Sequence, residues 1–233
     1  MRIIVNHLTR MKPGFICVAG VDATTSQHVR PESFGQLPVD LLVRNGGPFD
    51  IAADVDLGPT TPIGRPPQLE DYRFDPIDAH QQAILTADEF WRKLQQVTQR
   101  QLPDIFGASL KVQGRACAVD VGTGIASLGC LIPQGRPVLS IDTFDNTKIR
   151  IEFTDGTLTP RLSVTDLRLF EHDQKTPRKA VVDDINTRIR AGIAIVLSVG
   201  LGRKWKKPGD TEERHWLQVN NIHLEDNPLW HAE

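Results

Sequence analysis

The stretch covering residues 193–224 does most to narrow what this chain can fold into. Ile193-Ala-Ile-Val-Leu-Ser-Val199 is apolar and β-branched, which suits a pleated, well-packed strand. A basic segment containing Pro208-Gly209 follows, and alternation resumes from His215 with Trp216, Leu217, Val219 and Ile222 as its apolar members. Two strand-like runs joined by a turn-rich loop predict a β-hairpin with a long tip.

The N-terminal third repeats the theme in shorter pieces. Residues 2–8 and 15–21 are strand-like runs separated by Thr9-Arg-Met-Lys-Pro-Gly14, and residues 39–43 are a further strand candidate ended by Arg44-Asn-Gly-Gly-Pro48. Over residues 49–57, Ile51, Ala53, Val55 and Leu57 alternate against Asp50, Asp54 and Asp56, the period of a strand with one wet face. Short strands punctuated by Gly and Pro suggest a small barrel or sandwich. Residues 57–67, rich in Pro, Gly and Thr, are read as irregular.

Helix comes later. Thr86-Ala-Asp-Glu89 has capping-box spacing, and Phe90, Trp91, Leu94 and Val97 recur at helical spacing until Leu102-Pro103 stops them. Phe90 and Trp91 are expected in the core. Strands return at 110–121, 137–144, 148–153 and 164–170, with a hairpin connection at Asp145-Asn-Thr147 and a tight turn at Thr154-Asp-Gly-Thr157. Residues 178–190 form a second helix with Val181, Val182, Ile185 and Ile189 on one face, and Gly192 is placed to end it. The expected fold is mainly β (α+β). Two small barrels span 1–76 and 109–233, a helical connector spans 77–108, and one helix is inserted in the second barrel.

Composition excludes several classes. The 39% hydrophobic and 24% charged residues are ordinary for a globular chain and argue against wholesale disorder. No apolar run approaches the roughly 20 residues of a membrane span, and Met1-Arg-Ile-Ile-Val-Asn-His7 lacks the apolar core of a signal peptide. A cytoplasmic location without membrane contact is therefore expected. Cys17, Cys117 and Cys130 are too scattered for a disulfide framework or a zinc knuckle and read as buried thiols. With 27 Lys and Arg against 29 Asp and Glu, a polyanion has to be met by a local patch, not by the field of the whole chain.

The hairpin tip is the best such patch. Arg203, Lys204, Lys206 and Lys207 surround Trp205, with Arg214 opposite, and cations around an exposed aromatic suit phosphate attraction and base stacking. Trp216 opens an alternating strand and is expected in the core. A second basic patch gathers Arg10, Lys12 and Arg30, where Arg30 can pair with Glu32 or with a phosphate. Asn220 and Asn221 are unusual in a strand and can serve a base edge or a loop carbonyl. Catalytic signals are weak. Gly122, Gly124 and Gly129 precede no helix that could receive a pyrophosphate. Asp183 and Asp184 diverge on their helix, Asp142 and Asp145 fit turn chemistry, and His215 and His223 lack a third metal ligand. No catalytic residue, metal or cofactor is expected.

Several stretches together resemble the dual OB-containing domain proteins of prokaryotes. They are Asn6, Gly14-Phe-Ile-Cys-Val-Ala-Gly-Val-Asp22, and Val29-Arg-Pro31 with Glu32-Ser33 and Gly35 behind it. Pro66-Pro-Gln-Leu-Glu-Asp-Tyr72, Leu197-Ser-Val-Gly-Leu-Gly-Arg203 and Trp216-Leu-Gln-Val-Asn-Asn-Ile222 complete the set. The resemblance spans most of the chain, and His28 departs from the aromatic expected at its position. It implies two OB-like barrels, nucleic-acid binding, and association with bacterial antiviral or CRISPR-associated systems. It brings no catalytic residue. The sequence expectation is thus a non-catalytic binder of single-stranded or structured DNA or RNA. The alternative is an adaptor that docks a protein partner in a defence complex without touching nucleic acid.

Overall fold

Turn chemistry divides residues 1–84 into eight strands of one sheet in the computed structural model, which describes residues 1–230. These are β1 (Arg2–Arg10), β2 (Phe15–Asp22), β3 (His28–Glu32), β4 (Leu37–Pro38), β5 (Ala53–Asp56), β6 (Thr61–Pro62), β7 (Asp71–Arg73) and β8 (His80–Ile84). Their order is β6-β7-β3-β2-β1-β5-β8, with β4 beside β2. Helix α1 (Ala87–Val97) then leads to β9 (Thr98–Gln99), which joins the second sheet, and to the short α2 (Leu102–Phe106). The remaining strands are β10 (Lys111–Gln113), β11 (Ala116–Asp120), β12 (Leu128–Leu131), β13 (Gln134–Ile141), β14 (Ile149–Thr154), β15 (Arg161–Val164), β16 (Ile195–Leu201) and β17 (Arg214–Leu224). Helix α3 (Lys179–Arg190) lies between β15 and β16. The second sheet runs β13-β14-β15-β17-β16-β12-β9, with β11 and β10 attached to β17.

The expected mainly β (α+β) fold is present, and the two sheets share a plan. In each, three strands form an antiparallel meander (β1-β2-β3 and β13-β14-β15) whose third strand runs parallel to a later one, β7 or β17. In each sheet five strands follow one barrel order, left open at a different seam, between β5 and β7 in the first and between β13 and β16 in the second. In the second, α3 packs over β13 where no ladder joins β13 to β16 among the described residues. There Asn186 accepts from Leu139 N at 2.9 Å and donates to Leu139 O at 2.9 Å, closing the β13 edge with one side chain.

Two apolar cores form, and they interlock. Phe49, Phe90 and Leu94 sit with the first-sheet strands, and Leu102, Phe106 and Ile185 with the second, while Cys130, Leu167 and Val196 from the second half belong to the first core. Between them β1 faces β17, and both strands are bulged at an asparagine. The β1 ladder passes from Val5 to His7 and skips Asn6, and the β17 ladder skips Asn220. Asn221 Oδ1 accepts from Leu8 N at 2.6 Å and its Nδ2 donates to Leu8 O at 3.2 Å. Ser198 Oγ donates to Asn6 O at 2.8 Å, and Asn6 Nδ2 donates to Cys130 Sγ at 3.2 Å. The halves are thus joined through a buried polar seam.

Several local expectations are corrected. Residues 39–43 form 3-10 turns (Val39–Leu41 and Val43–Asn45), because the Asn45 amide donates to Val39 O and Gly46 closes the turn at φ 89°. Over residues 49–57 only Ala53–Asp56 is strand, since Ala52 at φ 63° breaks the run. Residues 110–121 are a hairpin, β10 and β11, folded at Gly114, not one strand. The strand expected at 164–170 ends at Val164. Buried Asp166 accepts from Arg168 N and pairs with the Arg168 guanidinium, turning the chain into Leu167–Leu169. Helix α1 stops at Val97, and Pro103 sits inside the first turn of α2, where its missing N–H costs nothing. Cys117 and Cys130 are buried, but Cys17 is only partly so.

Candidate nucleic-acid interface

Register places a polar row across five adjacent strands of the second barrel. Ser140 on β13 pairs with Arg150 on β14, Arg150 with Ser163 on β15, Ser163 with Gln218 on β17, and Gln218 with Gly200 on β16. Ser140, Arg150, Ser163 and Gln218 are half-exposed, because alternation turns their neighbours Leu139, Ile151, Leu162 and Leu217 into the core. Gly200 supplies no side chain at the end of the row. A Cβ there would meet Asn220 Nδ2 at 2.5 Å, so the glycine makes room for that amide.

Two loops flank the row. Residues 142–148 join β13 to β14 and carry Phe144, which is fully exposed. Asp142 shapes this loop by accepting from Phe144 N at 3.0 Å and pairing with Arg150 Nε at 2.9 Å. Residues 202–213 join β16 to β17 and carry Trp205, 53% exposed. Trp205 is held by backbone bonds to Arg214 in both directions, and Trp216 Nε1 donates to Trp205 O at 3.1 Å. Lys207 Nζ lies 3.1 Å from the centre of the Trp216 ring, and its pKa is lowered by burial, opposed by Asp210 and reinforced by Arg150. Lys207 therefore leans from the tip towards the polar row.

The structure separates the predicted cations into several roles. Arg203 pairs with Glu32 and Asp71 of the first barrel and donates to Gln68 Oε1 at 2.9 Å. Lys204 pairs with Glu213, and Arg214 with Asp120, Glu212 and Asp210. Lys206 is exposed with no carboxylate partner among the described residues. Arg30 is buried, its Nε donating to Asp71 Oδ1 at 2.7 Å, so it lies inside the molecule and not on an outer patch. Arg10 stacks 3.9 Å over Phe170 and donates to Gln174 O, and Lys12 stands 4.7 Å over Phe15. Trp216, expected in the core, is half-buried beneath Lys207. Asp183 and Asp184 pair with Lys179 and Arg188 on their own helix, remote in role from Asp142 and Asp145. Phe144 escaped the sequence reading because it stands at the end of a strand-like run. Its signal was the Asp-Asn turn that follows, which puts it outside the sheet.

Where the polar row reaches the seam, a pocket of about 430 Å³ opens between the barrels. Thr9, Arg30 and Glu32 line it from the first, Gln218, Asn220 and Arg203 from the second, and Gln68 from the loop before β7. Arg203 has its pKa lowered by burial and by the neighbouring positive charge of Arg30. His7, at the pocket wall, has its pKa pushed well down by burial, with the neighbouring His28, His223 and Arg30 each disfavouring a charge on it. Burial also takes His28 down to about 4 and raises the Cys130 thiol to about 12. His7, His28 and Cys130 place potential ligand atoms within 4.8 Å of one another, the one such group among the described residues.

No helix among the described residues is long and apolar enough to cross a membrane. No curated protein and no solved structure matches the chain. A family profile described as the dual OB-containing domain matches residues 1–222. With its two opened barrels and that match over nearly its whole length, the chain belongs to the dual OB-containing domain family.

Proposed function

We propose that the chain is a non-catalytic, cytoplasmic nucleic-acid-binding protein that takes a single strand, or an unpaired segment of a structured one, across its second barrel. In five-stranded barrels of this kind the face of strands two and three, with the loops after strands one and four, holds oligonucleotides. Here those positions are β14–β15, residues 142–148 and residues 202–213. The observation that carries the reading is the polar row running between exposed Phe144 and Trp205. The aromatics offer stacking surfaces, each worth roughly 1–3 kcal/mol per base. Lys206 and Lys207 supply the charge. Assignment to antiviral or CRISPR-associated defence rests on the family resemblance, and phage challenge of a deletion strain tests it.

The direct test is fluorescence anisotropy of labelled single-stranded DNA and RNA over a salt series. Wild type should bind with an affinity that falls as salt rises. Phe144→Ala combined with Trp205→Ala should weaken binding by roughly ten-fold or more, and Lys206→Ala should flatten the salt slope. Absence of any binding at low salt would sink the proposal and favour the protein-docking adaptor.

A further inference from the structure

Strand register gathers two imidazoles on one face of the first sheet. His7 on β1 pairs with Ala19 of β2, and His28 on β3 pairs with Val21 of the same strand. Ala19 and Val21 point to one side of β2, so both histidines project there. Their rings meet edge to face, 5.4 Å between centres. The second sheet brings a thiol to the same place. Cys130 on β12 pairs with Ser198 on β16, yet its side chain is buried in the first core. Cys130 Sγ lies 3.7 Å from His28 Nε2, and one nitrogen of each ring lies with that sulfur inside 4.8 Å. Tetrahedral zinc, with bonds of about 2.3 Å to sulfur and about 2.0 Å to nitrogen, sets an S···N edge of roughly 3.5 Å. The sulfur and the His28 nitrogen already stand near that edge. A second observation is independent of this spacing. Asn220 occupies His7 Nδ1 at 3.0 Å, and His7 Nε2 is buried with no hydrogen-bond partner among the described residues. A bound ion or water is the usual reason for a buried polar atom left unpaired. Asn6 Nδ2, 3.2 Å from Cys130 Sγ, is placed to donate to a thiolate. Arg30, whose charge reaches His7, is matched by Asp71 and Glu32.

We propose that His7, His28 and Cys130 bind a thiophilic closed-shell cation, zinc(II) or copper(I), which clips the first barrel to the second. Two imidazoles and a thiolate suit either ion. No carboxylate belongs to the group, which disfavours magnesium and calcium. As the sulfur–metal bond forms, the Cys130 proton passes to solvent. His7 coordinates through Nε2 with its proton on Nδ1, and the Asn220 amide turns so that Oδ1 accepts that proton. Gln218 is half-exposed and donates to Asn220 Oδ1 at 3.0 Å, so it turns too and accepts from Asn220 Nδ2. Asn220 thereby orients His7 as the outer partner of a metal-bound imidazole does. The ion ties β1 and β3 to β12, beside the seam that Asn221 makes, and its binding does not rest on the nucleic-acid reading.

Metal uptake by the full chain, first stripped with a chelator, tests it. The probes are zinc(II), copper(I) held reduced without oxygen, and cobalt(II) as a spectroscopic stand-in for zinc. One equivalent should bind, and the melting temperature should rise by about 5 °C or more at roughly a hundred-fold excess of free metal over Kd. Cobalt(II) should show a thiolate-to-metal charge-transfer band that Cys130→Ser abolishes and Cys17→Ser keeps. His28→Gln changes the one partly exposed ligand. It should weaken binding by roughly ten-fold or more and remove most of the thermal gain, with an unchanged metal-free melting temperature showing that it folds. Should Cys130→Ser fail to fold, His28→Gln decides alone. The more tightly held of zinc(II) and copper(I) identifies the occupant. Affinity unchanged in His28→Gln overturns the site, and so does a chain that takes up none of the three ions. Either result leaves oligonucleotide binding on the second barrel standing.

Discussion

Asn221 carries the seam between the barrels. It is fully buried, and its amide satisfies both the N–H and the C=O of Leu8, as a neighbouring strand would. Asn186 treats Leu139 in the same way at the other open edge. Replacing Asn221 with Ala leaves two backbone groups without partners in the interior, at roughly 1–3 kcal/mol each. Urea denaturation of Asn221→Ala should therefore show a loss of several kcal/mol, and a change below about 0.5 kcal/mol would contradict this account. The oddity of two asparagines in a strand was visible in the sequence, but their purpose was not, because the partner lies 213 residues away. Asn220 turned out to bond His7 and Gln218, and Asn221 a strand backbone, neither of them a loop carbonyl. The charges of the hairpin tip were legible as residues. Their neutralisation was not, since Arg203 finds Glu32 and Asp71 on the first barrel.

Among the elements, α1 was legible at both ends of its logic. Thr86 and Glu89 form the full capping box, and Phe90 and Leu94 are buried on one face, although Trp91 stays half-buried with Nε1 unpartnered. Thr86→Ala should cost about 1 kcal/mol, read as a shift in the chemical-denaturation midpoint with an unchanged slope. Helix α3 was equally readable, with Val182, Ile185 and Ile189 buried and Gly192 at φ 95° where the chain leaves it. Short apolar runs misled at residues 39–43 and 164–170. In both, one polar side chain, Asn45 or Asp166, bonds the local backbone and competes with the ladder a strand would need. Strand β12 was missed because its Gly-rich approach resembles a loop, yet Leu128–Leu131 is wholly buried between β16 and β9. Of the candidate site, the sequence exposed the hairpin and its aromatic. The polar row depends on register between strands whose order no local pattern reveals.

At the scale of the molecule, buried histidines tie stability to pH. Burial holds His223 neutral, with its pKa at about 3, while Ser198 and Asn6 O hold its Nε2. The unfolded chain would protonate the same ring near 6.5. Stability is then fully present above that value and is lost as pH falls towards 3, by up to roughly 1.4 kcal/mol per pH unit for this one group. His7 and His28 are depressed in the same direction and steepen the slope. Urea midpoints measured from pH 8 down to pH 4 should hold level and then fall below about pH 6.5. A flat profile between pH 7 and 5 would refute it, because the carboxylates with lowered pKa, such as Asp145 at about 2, act only at lower pH. The interlocked cores also predict one thermal transition for both barrels, since Cys130, Leu167 and Val196 would leave the first core if the second unfolded alone.

Asn221, beside the β17 bulge, has a consequence for how such a chain can be inherited. Asn221 recognises the backbone of residue 8 and not its side chain, so residue 8 is held only to an apolar side chain that fits the core, while residue 221 is held to an amide. A recombination that traded one barrel for a distant relative's would survive only if the incoming strand carried its bulge at the matching position. The two halves are therefore transmitted as a matched pair, and the geometry of their join is what selection sees.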